Sequence, residues 1–248
     1  MKEPMDFVVL RGDRRQNLLC DLLVADGHRA QLVPEPEKWG MENLPPPGAF
    51  LVTAKASAAL REAALQYGFT LLEYGNLLSF QEENGAITAE GALQTAMKHR
   101  LRTVRGSEAL VIGYGGIGKP LASLLKGLNC AGVSVAVRRE ELLWVLKGEG
   151  YRGLLSRDLE DQAGEYDLIF NTVPELLLTR PVLEQLRPGT LVVDLASKPG
   201  GVDWEAARQL NVKAVHALAL PGQLTPVSGA MAIRNAVYEL CKEERHAR

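Results

Sequence analysis

Cysteine is scarce. Cys20, Cys130 and Cys241 lie far apart with no CxxC spacing, which argues against a disulfide framework and fits a reducing compartment. Histidine is scarce too, and His28, His99, His216 and His246 stand at spacings that hold no metal. Net charge is nearly absent. The 28 basic and 30 acidic side chains leave −2, so no polyelectrolyte field favours nucleic acid or an anionic membrane. There is no internal repeat and no low-complexity tract. The opening Met1-Lys2-Glu3-Pro4-Met5-Asp6 lacks the basic start and apolar core of a signal peptide. One uncharged stretch, Ala214 to Ile233, has the length of a membrane span. Pro221, Gly222, Gln223, Pro226 and Gly229 interrupt it, so it reads as strand, loop and helix start. The expected location is the cytoplasm.

What is present is ordinary for a soluble globular chain: 248 residues, 46% hydrophobic and 23% charged. At roughly 100–200 residues per domain, this allows one large domain or two small ones. Short apolar runs alternate with longer helix-like segments, the mark of a parallel sheet with crossover helices. Strands are expected at Phe7–Leu10, Phe50–Thr53 and Thr70–Leu72, with a weaker one at Gln31–Val33. Helices are expected over Arg15–Asp26 and Ser57–Tyr67. Pro34, Pro36, Pro45, Pro46 and Pro47 mark a long loop. Thr88 reads as the N-cap of a connecting helix that runs to about Leu101, with Glu90 near its positive end.

From Ser107 the pattern sharpens. Strands fall at Ala109–Ile112, Val133–Val137, Asp167–Asn171, Leu191–Leu195 and Val212–His216, with Gly153–Leu155 as an edge strand. Helices fall at about Gly116–Leu128, Glu140–Gly148, Arg180–Leu186 and Trp204–Leu210. A last helix, about Ser228 to Lys242, is expected to pack back across the domain junction. The reading is α/β: a Rossmann-type doubly wound parallel sheet with a smaller N-terminal α/β domain. Residues 1–86 would form the small domain, and residues 87–248 the linking helix, the dinucleotide-binding domain and the return helix.

Gly113-Tyr114-Gly115-Gly116-Ile117-Gly118 fits G-x-G-x-x-G between a strand and a helix, the context that gives this pattern meaning. Gly113 permits the tight turn, Gly115 lets a pyrophosphate approach the backbone, and Gly118 lets the helix pack close. Arg138-Arg139 follows the second strand, where an acidic residue would meet the ribose of NAD and a basic one suits a 2′-phosphate. NADP is therefore favoured, with NAD possible, and Arg138 is the leading contact. Asn171-Thr172-Val173-Pro174 ends the next strand at the carboxyl edge of the sheet, where Asn171 and Thr172 would meet the nicotinamide ribose. The same four residues are equally well an Asn-cap and a proline turn.

Leu191-Val192-Val193-Asp194-Leu195-Ala196-Ser197-Lys198-Pro199-Gly200-Gly201-Val202-Asp203 is far more specific. It resembles the A-subunit family of dipicolinate synthase, an enzyme of spore formation. Gly12-Asp13-Arg14-Arg15-Gln16, Thr88-Ala89-Glu90-Gly91-Ala92, Asn171-Thr172-Val173-Pro174 and Leu220-Pro221-Gly222 fall in the family's order. The resemblance covers Ser79 to Tyr238 well and the first strand and helix loosely. There are departures. The N-terminal half is some tens of residues short, and the proline-rich loop around Leu44–Gly48 replaces part of it. The family's basic residue after the second turn glycine is Gly116 here. Its Ala-Pro-Gly-Leu-Pro-Gly run reads Ala217-Leu218-Ala219-Leu220-Pro221-Gly222, and its Pro-Lys-Thr-Ala-Gly reads Pro226-Val227-Ser228-Gly229-Ala230.

The resemblance implies NADP-linked oxidation of a dihydrodipicolinate-like dicarboxylate. It also implies, as partner, a flavin-binding B subunit and, as location, the mother cell of an endospore former. Such chemistry needs anion-binding groups, a hydride acceptor and a proton acceptor. Lys198, with Ser197 and the N–H groups around Gly200 and Gly201, would hold a carboxylate. Arg15 would pair a carboxylate from the other domain, and Asp13 would orient Arg15 or move a proton. Asp194 and Asp203 read as loop-positioning residues, the latter as an N-cap. No metal is expected. Two other readings stay open: a nucleotide-binding or assembly subunit without catalysis of its own, and a stand-alone oxidoreductase resembling shikimate dehydrogenase.

Overall fold

The computed structural model describes residues 3–34 and 45–246. Most of the proline-rich loop, residues 35–44, lies outside the described residues. The chain divides into two compact units, Met1–Asn84 with Pro221–Arg248, and Gly85–Leu220. The C-terminal helix therefore counts with the N-terminal unit, whereas the sequence grouped it with the dinucleotide-binding domain. Among the described residues no helix is long and apolar enough to cross a membrane.

The N-terminal unit is built from β1 (Asp6–Leu10), α1 (Arg14–Ala25), β2 (Arg29–Val33), β3 (Phe50–Thr53), α2 (Ala58–Tyr67) and β4 (Thr70–Glu73). Its sheet is parallel, in the order β2-β1-β3-β4. Asp13 caps α1 by accepting from the Arg15 N–H, and Ser57 caps α2 by accepting from the Leu60 N–H.

Next comes α3 (Leu78–His99), which starts ten residues before the expected Thr88. Thr88 is buried inside the helix rather than capping it, and Glu90 is mid-helix. Asn84-Gly85 looks like a breaker in sequence. Gly85 is instead a point of close approach: a Cβ there would lie 2.2 Å from the Gly116 carbonyl oxygen.

The second unit carries β5 (Glu108–Ile112), α4 (Gly118–Gly127), β6 (Gly132–Val137), α5 (Glu141–Gly148), β7 (Arg152–Leu155) and the short α6 (Leu159–Gln162). It continues with β8 (Leu168–Asn171), α7 (Arg180–Glu184), β9 (Leu191–Asp194), α8 (Trp204–Gln209) and β10 (Lys213–His216). Two helices complete the chain, α9 (Leu220–Gln223) and α10 (Pro226–His246).

The second sheet is wholly parallel, in the order β10-β9-β8-β5-β6-β7. This is the Rossmann-type doubly wound order, with β5 first and the direction reversing between β5 and β8. Its central strands are continuous apolar runs because both faces are covered. Val111, Val135, Phe170 and Val193 pack on one face with Leu121 and Leu125 of α4. Leu110, Ala136, Ile169 and Val192 pack on the other with Leu183, Ala206 and Ala207. The period-2 alternation along each strand produces these two cores. Parallel pairing of β5 with β6 and β8 brings their carboxyl ends together.

Candidate functional site

The turn after β5 is shaped by close contacts. Gly113 has φ +98°, and a Cβ there would lie 2.4 Å from Thr172 Oγ1, so only glycine fits. A Cβ at Gly118 would lie 2.1 Å from the Gly113 carbonyl oxygen, which is why α4 can start so near the turn. Gly115 is the opposite case: a Cβ there meets nothing within 4 Å. Its backbone faces open space. The N–H groups of Gly115, Gly116 and Ile117 donate to no protein acceptor among the described residues. Such a turn at a helix start suits an anion.

Beside the turn lies a pocket of about 470 Å³ at the carboxyl ends of β5 and β6. Gly113, Val137, Arg138, Arg139, Leu142, Ser156, Arg157, Val173 and Glu175 are among its walls. Arg138 and Arg139 are exposed and make no ion pair among the described residues. The neighbouring Glu140 is held by Arg157 at 2.7 Å, so its charge is already compensated. A phosphate-bearing dinucleotide fits this lining: open glycine backbone at one side, uncommitted guanidinium groups at the other.

Ser156 and Arg157 were not singled out from sequence. They follow β7, whose register with β6 sets Val137 opposite Leu155. A parallel pairing of those two strands would have placed them beside Arg138.

The third string behaves differently from expectation. Asn171 is fully buried. Its Nδ2 donates to the Val173 carbonyl at 2.9 Å and to Asp194 Oδ1 at 2.8 Å, and its Oδ1 accepts from the Val173 N–H at 3.2 Å. The side chain is committed beneath the surface and is not free to meet a ribose. Thr172 Oγ1 donates to the Ile112 carbonyl at 2.8 Å and backs onto Gly113. Val173 lines the pocket, and Pro174 is exposed.

Strand register explains the arrangement, because Ile112, Asn171 and Asp194 share one row across the sheet. Asp194, also fully buried, accepts from the N–H groups of Ala196 and Gly201, both at 3.2 Å. The loop after β9 is thus tied to β8 through one carboxylate. Ser197 and Lys198 stand exposed on it. The Gly200 N–H donates to the Ser197 carbonyl at 2.8 Å. Gly200 and Gly201 are buried, so their N–H groups hold the loop together and are not the free carboxylate donors expected from sequence. Lys198 keeps its ammonium in solvent. Asp203 caps α8 by accepting from the Ala206 N–H at 2.9 Å.

In the N-terminal unit, Arg15 is already partnered. Its Nη2 donates to Asp13 Oδ2 at 2.8 Å, its Nε to Oδ1 at 3.0 Å, and its Nη1 to Asn84 Oδ1 at 3.3 Å. Burial pushes the Asp13 carboxyl up, but the Arg15 hydrogen bonds and charge outweigh it and hold it below the ordinary carboxylate value. A carboxylate so stabilised is a poor proton acceptor, and it orients Arg15. Among the described residues no cluster of His, Cys, Asp or Glu has metal-holding geometry.

The comparisons sharpen this picture. No protein-family model matches the chain. The A subunit of dipicolinate synthase from Bacillus subtilis (strain 168) is 32% identical over 160 residues, which cover 64% of this chain and 54% of that protein. The solved structure of the Bacillus subtilis dipicolinate synthase A subunit superposes with a TM-score of 0.83 at 22% identity, covering 100% of this chain and 99% of that one. The chain resembles the dipicolinate synthase A subunit in sequence and in fold. A solved L-alanine dehydrogenase superposes with a TM-score of 0.63 at 17% identity, over 97% of this chain and 90% of that one. The doubly wound fold is therefore one shared with dehydrogenases. In sequence, the chain spans about half the length of the curated relatives it matches.

Proposed function

We propose that this chain is a nicotinamide-dinucleotide-dependent oxidoreductase subunit. It prefers NADP and acts with a flavin-binding partner subunit on a dihydrodipicolinate-like dicarboxylate. One observation carries the reading: the open face of Gly115 stands at the switch point of the sheet, beside Arg138 and Arg139, neither of which has an ion-pair partner among the described residues. When bound, the dinucleotide would supply the hydride acceptor. The turn's N–H groups would hold its pyrophosphate, and Arg138 its 2′-phosphate. Lys198, exposed on a loop fixed by Asp194, would offer positive charge to a carboxylate. The likeness to the dipicolinate synthase A subunit supports the substrate class, the partner and an endospore-forming mother cell as setting.

Calorimetry on Arg138→Ala tests the cofactor assignment. Loss of one charge-assisted contact, about 1.5–3 kcal/mol, should weaken NADP roughly ten- to a hundredfold and NAD little. Equal losses for both dinucleotides would sink the 2′-phosphate assignment.

A second reading has its own support. The N–H groups of Gly200 and Gly201 and the guanidinium of Arg15 are spent on internal partners. That favours a nucleotide-binding assembly subunit whose catalysis resides in its partner. Nucleotide affinity without turnover, alone and with the partner, would decide for it.

A further inference from the structure

We propose that a pocket in the N-terminal unit, at the carboxyl ends of β1 and β3, binds a small carboxylate that also carries a hydroxyl or amine hydrogen-bond donor. The sheet order β2-β1-β3-β4 places the reversal of direction between these two strands. Ligands of open parallel sheets settle outside the carboxyl ends at such a point. The pocket measures about 330 Å³, and its polar lining includes Arg11, Gln16, Thr53, Lys55, Ser57 and Tyr74. That volume suits a small metabolite.

The charge is one-signed. Arg11 and Lys55 are exposed and have no ion pair among the described residues, and no carboxylate lines the pocket. The nearest acidic groups are spent elsewhere. Glu73 is paired with Arg61 and accepts from the Ala56 N–H at 2.9 Å. Asp13 is paired with Arg15 at 2.8 Å. Two uncompensated cations at the mouth of a pocket attract an anion.

Gln16 narrows the chemistry. It is only 7% exposed. Its Nε2 donates to Tyr74 Oη at 3.2 Å, while its Oε1 is buried with no partner. Gly12 lets the amide lie there, since a Cβ at that position would be 2.9 Å from Oε1. A buried acceptor without a donor is uncommon and costly. A plain dicarboxylate would answer the two cations but not Oε1. A ligand with a hydroxyl or amine next to its carboxylate answers both. Every residue that lines the pocket belongs to the N-terminal unit. Any link between this ligand and the oxidoreductase chemistry rests on the reading given above.

The test is calorimetric titration of the full chain with L-malate and with succinate, which differ by one hydroxyl. Malate should bind at millimolar concentration or below, and succinate roughly tenfold more weakly. Lys55→Met should melt like the unsubstituted chain and lose malate affinity roughly ten- to a hundredfold. Gln16→Met should erase the preference for malate. If that variant does not fold, Gly12→Ala, which pushes on Oε1, should do the same. No binding of malate, or unchanged affinity in Lys55→Met, overturns the proposal. NADP titrated into Lys55→Met keeps the two claims apart. Its failure to bind while malate binds the unsubstituted chain would count against the oxidoreductase reading only.

Discussion

At the scale of single residues, the carboxylates of this chain divide by what they hold. Asp194 ties a surface loop to the strand beside it, and Asp13 fixes an arginine at the start of a helix. The second arrangement has a pH signature. The folded Asp13 carboxyl ionises more readily than an ordinary one. Its contribution to stability is therefore complete above the ordinary aspartate value of about 4 and is lost as pH falls through the depressed folded value. Asp13→Asn should lower the melting temperature at neutral pH. The gap between the two proteins should close on acidification, as read by thermal melts across the acid range. A gap that widens in acid would show that the Asp13–Arg15 pair does not stabilise the fold.

At the scale of elements, two glycines, one in the turn after β5 and one packed against that turn, make opposite predictions. Gly115 faces open space, and Gly85 faces the Gly116 carbonyl oxygen at 2.2 Å. Gly115→Val should melt like the unsubstituted chain and, if the proposed pyrophosphate site is right, bind the dinucleotide roughly a hundredfold more weakly, since the side chain would fill that site. Gly85→Ala should cost about 1–3 kcal/mol of stability by overpacking and should disturb the turn from behind. Melts and dinucleotide titrations on both variants check the pair.

Strands and glycine turns were legible because alternation and spacing are local properties. The apolar runs at Ala109–Ile112 and Leu191–Leu195 mark buried parallel strands without further knowledge. The start of α3 was not legible, because Gly85 owes its place to a partner thirty-one positions away in sequence, Gly116. The same holds for Asn171. Its residue type suits a ligand contact, but its partner Asp194 is set by strand register, which a single sequence does not display. Arg157 entered the pocket by the same route, and Gln16 showed its unpartnered oxygen only once Tyr74 was seen to take the other end of the amide.

At the scale of the whole molecule, the first unit is discontinuous. Its helix α1 packs against α10, which lies at the other end of the sequence. Ala230, Ala232, Ile233, Ala236, Val237 and Cys241 are all buried. A buried valine or isoleucine alone contributes about 1.5–3 kcal/mol, and a domain's net stability is only roughly 5–15 kcal/mol, so exposing the buried face of this helix would exceed what the unit can lose and stay folded. Deletion of residues 221–248 should abolish cooperative melting of the N-terminal unit while residues 85–220 keep their own transition. Differential scanning calorimetry would read this as the loss of one component. Two intact transitions in the truncated protein would show that α10 is dispensable.

That discontinuity also imposes an order on biosynthesis. A ribosome releases the four strands of the first sheet early, yet α10, which completes their unit, emerges only after residues 85–220. At about 5–20 residues per second, the wait is on the order of ten to thirty seconds. During it, the second unit, whose residues 85–220 are contiguous, can close its own core. The N-terminal sheet meanwhile presents the uncovered face of α1 to whatever it meets. The nascent chain's exposure to chaperones and proteases is thus concentrated in its first third, although those residues are made first.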